Sequence, residues 1–87
     1  MNEEEIKNFP GIYKSKGVFQ VFSRMGFKKK VFIQNDLLVI SHFAIIHKPK
    51  DITLKNSIFC YVNILFDGEI YVWHNNLEYM SNLIQKI

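Results

Sequence analysis

The chain is poor in the residues that most often carry covalent or metal chemistry. Its 87 residues include one cysteine, Cys60. A single thiol cannot close an internal disulfide, so a disulfide scaffold is excluded and a reducing, cytoplasmic setting is expected. Three histidines accompany it, at no recognised metal-ligand spacing. A Gly-rich phosphate loop, paired carboxylates and a Ser-His-Asp arrangement are all missing, so neither catalysis nor a cofactor is expected. Two prolines and four glycines are too few for a linker or a low-complexity tract. No apolar run approaches the roughly 20 residues that cross a bilayer; the longest, Leu37 to Ile46, is interrupted by Ser41 and His42. No signal-peptide pattern is recognised. Any meeting with a membrane is therefore expected to be peripheral.

Acidic residues are absent from one long stretch. Between Ile6 and Asn35 the charged residues are Lys7, Lys14, Lys16, Arg24, Lys28, Lys29 and Lys30, all basic. The acids fall at Glu3, Glu4 and Glu5 and from Asp36 onward, so the formal charge of +3 understates the positive field of the first third. Such a field favours phosphates, acidic membranes or acidic proteins.

What is abundant is apolar and aromatic. Eight phenylalanines, four tyrosines and one tryptophan in 87 residues suit a compact β-rich core and argue against disorder. The length fits one domain, with residues 1–10 as an N-terminal extension and 11–87 as the domain itself. Asn2 to Asn8 reads as a helical turn with acids at its start, ended by Pro10-Gly11. Gly17 to Ser23, Lys29 to Gln34 and Leu37 to Phe43 read as strands, with Arg24-Met25-Gly26 and Asn35-Asp36 as turns. A loop over His47 to Asp51 and a short strand at Ile52 to Leu54 follow. Phe59 to Phe66 and Glu69 to His74 flank Asp67-Gly68, the dipeptide favoured in type I′ hairpins. A final helix begins at Asn75 or Asn76, with Glu78 in its first turn, Lys86 in its last, and Leu77, Met80, Leu83, Ile84 and Ile87 on one stripe. These elements make a mainly β fold of about six or seven antiparallel strands with one C-terminal α-helix.

The order of these elements resembles a pleckstrin-homology (PH) domain over Lys16 to Ile87. Gly17-Val18-Phe19-Gln20-Val21 followed by Phe27-Lys28-Lys29-Lys30-Val31-Phe32 is similar to the first two strands of that family. Val31-Phe32-Ile33-Gln34-Asn35-Asp36-Leu37-Leu38-Val39-Ile40 is closest to the type found beside Rho guanine-nucleotide exchange domains. Ile70 to Asn76 leads into Tyr79 to Ile84 as the family's last strand leads into its helix. Leu83 stands where the family usually has a tryptophan, and Val21 stands near the place of a common first-strand lysine. The resemblance implies a bent seven-stranded antiparallel barrel capped by the helix. It also implies a signalling role: phosphoinositide binding at the open end, protein–protein docking, or regulation of a neighbouring exchange-factor domain.

The candidate binding residues are Lys14, Lys16, Arg24, Lys28 and Lys30. Lys28 and Lys30, two apart on a strand, project to one face and can share one phosphate group. Arg24 adds a planar fork, and Lys14 and Lys16 complete the ring. The simpler reading of the same residues is a solvated basic edge. Apolar residues occupy both faces here: Phe27, Val31 and Ile33 alternate with Phe32, so alternation leaves the core side open. The expected partner is an anionic lipid headgroup or an acidic protein surface. The alternatives are a protein-interaction module or small phage inhibitor of a host protein, with incidental charge, and a small β-sheet nucleic-acid binder.

Overall fold

Alternating inward and outward side chains define the strands. The computed structural model describes residues 3–47 and 58–87. Its elements are α1 (Glu3–Asn8), β1 (Gly11–Ser15), β2 (Phe19–Ser23), β3 (Lys29–Phe32), β4 (Leu37–His47), β5 (Phe59–Phe66), β6 (Glu69–Asn76), α2 (Leu77–Leu83) and β7 (Ile84–Lys86). The strands form one antiparallel sheet in the order β3-β2-β6-β5-β4-β1-β7, curled into a half-barrel. The mainly β fold with a C-terminal helix is therefore as expected. The strand expected at Ile52 to Leu54, and the loop from Lys48 to Asp51, lie outside the described residues.

The concave side is the core. Tyr13, Phe19, Val21, Phe32, Leu38, Ile40, Phe43, Cys60, Val62, Ile64, Tyr71 and Trp73 point into it from six strands, and Leu77 and Met80 enter from α2. Ile6 and Phe9, from the segment read as an extension, pack against it as well. Phe9 stacks on Phe43 at 4.0 Å between ring centroids. The parity left open by the sequence is decided by Phe32, which is wholly buried while Val31 and Ile33 face outward.

Local turn chemistry accounts for the best-formed hairpin. Asp67 and Gly68 both have positive φ, 51° and 75°, the requirement of a type I′ turn. They join β5 to β6 in register from Phe59↔Asn76 to Phe66↔Glu69.

Three features differ from the expectation. Residues 29–34 and 37–43 do not pair with each other: β3 pairs with β2, and β4 with β1 and β5. The Asn35-Asp36 turn is tied instead to β1. Asn35, at φ 75°, donates its N–H to the Ser15 carbonyl, and Ser15 donates to the Asp36 carbonyl, both at 2.8 Å. This tie carries the chain from the β3 edge of the sheet to β4. Secondly, β1 is a strand that the sequence reading omitted; it is held from both sides, by β4 and β7.

Thirdly, the last helix is shorter. Asn76 caps it as expected, its side chain accepting the Tyr79 N–H at 2.6 Å. It then ends at Leu83, whose carbonyl accepts the Lys16 N–H at 2.8 Å, and Ile84 turns extended to pair with Ser15. Lys86 lies on β7, so no basic residue occupies the helix's last turn.

Burial of α2 by Met80 gives a measurable contrast. In urea denaturation Met80→Ala is expected to cost about 2–5 kcal/mol, the price of a filled core site emptied. Ile87→Ala, at a residue 73% exposed beyond β7, should change stability by less than about 0.5 kcal/mol. Equal losses would mean that the terminal segment is packed differently.

Candidate functional site

The basic residues gather on the β2–β3 hairpin because its turn is closed locally. Ser23 and Lys28 exchange backbone and side-chain contacts: Ser23 N–H donates to the Lys28 carbonyl at 2.8 Å, and Lys28 N–H donates to Ser23 Oγ at 3.1 Å. Gly26, at φ 78°, donates to the Ser23 carbonyl at 2.8 Å, a conformation that favours glycine. Phe27 and Lys28 thus belong to the turn, and strand geometry begins only at Lys29.

Two of the candidate cations converge on the neighbouring β5–β6 hairpin. Lys28 Nζ lies 3.0 Å from Glu69 Oε1. The hydrogen bond and charge of Glu69 raise the Lys28 ammonium above its ordinary pKa, so it stays protonated. Lys30, on the inward face with Phe32, places Nζ 4.2 Å from the Phe66 ring centroid and 5.4 Å from that of Phe32. Lys28 approaches this rim from the turn and Lys30 from the strand, and each already has a contact within the protein. An exposed ion pair is weak and exchangeable.

Arg24 joins them. Its side chain is exposed and its N–H donates to the Ile70 carbonyl at 3.2 Å, tying the turn to the start of β6. Arg24, Met25, Phe27, Lys28, Glu69 and Ile70 surround an open cleft of about 370 Å³ between the two turns. Lys14 and Lys16 are elsewhere. Lys14 sits on β1 opposite Leu37 and Gln85, and Lys16 follows that strand. Lys16 lies in the link of residues 16–18 between β1 and β2, so it neighbours the Phe19 end of the hairpin, opposite the turn that carries Arg24 and Lys28. The five candidates do not form one ring within a single hairpin.

The sequence reading passed over three residues at this hairpin. Lys29 is exposed on the outer face opposite Phe22, and Met25 and Phe27 project from the turn. Lys29 was visible as one of a basic triplet. The outward aim of Phe27 was not, because the preceding glycine turn rather than alternation decides it.

No protein-family model matches the chain, and neither does any curated protein or solved structure. The PH resemblance rests on the residues alone.

Cys60 takes no part in the site. It is fully buried on β5, and burial pushes its thiol up to about 11. A thiol-specific disulfide reagent at pH 8 is expected to leave the folded chain unmodified and to label it stoichiometrically once unfolded in denaturant. Rapid labelling of the folded chain would contradict this burial.

Proposed function

We propose that this chain is a non-catalytic binding module that attaches to anionic membrane surfaces, phosphoinositide-bearing ones among them, through the β2–β3 hairpin. One observation carries the reading. Arg24, Lys28, Lys29 and Lys30 lie on a single hairpin whose residues from Phe19 to Ile33 include no acid. The only counter-charge contacting these cations among the described residues is Glu69, and its partner Lys28 is largely solvent-exposed.

The mechanism is electrostatic. Each basic residue close to an acidic membrane strengthens attachment roughly fivefold, an effect that fades within a Debye length and with added salt. Three or four such residues give a weak hold that a tethered neighbour or second contact must reinforce. The Lys28–Glu69 pair opposes attachment little, because Lys28 can turn to a lipid phosphate while keeping its charge.

Vesicle co-sedimentation tests this. At low salt the chain is expected to sediment with phosphatidylserine- or phosphoinositide-containing vesicles and not with phosphatidylcholine alone. Lys28→Ala/Lys29→Ala should weaken binding by about tenfold or more, and Lys14→Ala/Lys16→Ala by less. Binding indifferent to lipid charge and to both double substitutions would defeat the reading and leave protein docking in its place. A salt-steep shift of DNA without vesicle binding would point to a nucleic-acid binder instead.

A further inference from the structure

Met25 and Phe27 are held out in water by a closed turn. They are 73% and 86% exposed, and three hydrogen bonds within residues 23–28 fix the backbone that carries them. Single exposed apolar residues are ordinary on protein surfaces. This pair differs in its company. Arg24, Lys28 and Lys29 flank it, and Phe22 and Val31, also exposed, continue the apolar strip along the outer face of the same hairpin. Purely electrostatic attachment to a phosphate has no use for an apolar tip.

Charge and shape together select the occupant. A cationic collar around a protruding aromatic and a thioether matches an anionic lipid layer, where headgroups meet the charges and the first acyl carbons meet the tip. We propose that the β2–β3 turn inserts Met25 and Phe27 into the acyl boundary of an anionic bilayer, while Arg24, Lys28 and Lys29 remain among the headgroups. This deepens the surface-binding reading and rests on it. The second exposed apolar region, the cross-strand row Ile12–Val39–Leu65 beside Leu37, lies on the face of the sheet rather than at a turn. It takes no part in insertion.

Depth-dependent quenching separates insertion from adsorption. The native Trp73 is only 4% exposed, so a tryptophan placed at the tip reports independently of it. With phosphatidylserine vesicles whose acyl chains carry bromine, Phe27→Trp should be quenched and blue-shifted on binding, and the parent chain should not. Met25→Ser/Phe27→Ser should bind these vesicles about tenfold more weakly, with the remainder removed by salt. Leu65→Ser should bind like the parent. Two outcomes overturn insertion while leaving electrostatic attachment intact: Phe27→Trp that sediments unquenched, or Met25→Ser/Phe27→Ser that binds like the parent. If neither the parent nor any variant sediments with anionic vesicles at low salt, surface binding itself fails and insertion falls with it.

Discussion

The stack of Phe19 on Trp73 is the contact on which the candidate site depends. Backbone pairing between β2 and β6 covers Phe22↔Val72 and Ser23↔Tyr71, with one further bond from the Arg24 N–H to the Ile70 carbonyl, too little to hold a hairpin by itself. Where the strands part, the two rings lie 4.3 Å apart and 11° from parallel. Phe32 extends the seam, 5.2 Å from Phe19 and edge-on to Phe66 at 5.9 Å. Aromatic pairs of this kind add about 0.5–1.5 kcal/mol each beyond the area they bury. The seam substitutes side-chain packing for the missing ladder hydrogen bonds and joins the basic hairpin to the sheet.

The same seam explains where the charges fall. With Phe32 turned inward, period-two alternation sends Lys30 inward as well, to the rim, where its ammonium lies over Phe66. Lys29 and Val31 are sent outward. The turn before them is short and closed on Ser23, so Met25 and Phe27 have no core to reach. A hairpin with a buried aromatic side, a cationic rim and an apolar tip follows from one choice of face.

Local signals in the sequence were the legible ones. Asp67-Gly68 announces its hairpin because the turn itself requires residues that tolerate positive φ. Asn76 announces a helix start because its side chain replaces a missing backbone acceptor. The mainly β class follows from aromatic content and alternation. What could not be read depends on distant partners. The strand Gly11–Ser15 has little pattern of its own and exists because β4 and β7 flank it. The helix stripe through Leu83, Ile84 and Ile87 fits a longer helix equally well until Ser15 claims Ile84. Residues 27–33 carry apolar side chains on both faces, so only the Trp73 seam assigns the inner one. In the candidate site, the gathering of Arg24, Lys28, Lys29 and Lys30 on one hairpin was legible from their nearness in the chain, whereas the place of Lys28 in the turn rather than on the strand was not. The placing of Lys14 and Lys16 at the end of the hairpin away from its turn was not legible either, because it depends on β1 being a strand held by β4 and β7.

Amide hydrogen exchange in a Phe19→Leu variant tests the seam most directly. If packing rather than backbone pairing holds the hairpin, the amides of Val21, Phe22 and Lys30, which face strand partners, lose protection while those of Val62 and Ile64 keep theirs. Uniform loss across β2 to β6, or unchanged protection throughout, would contradict it.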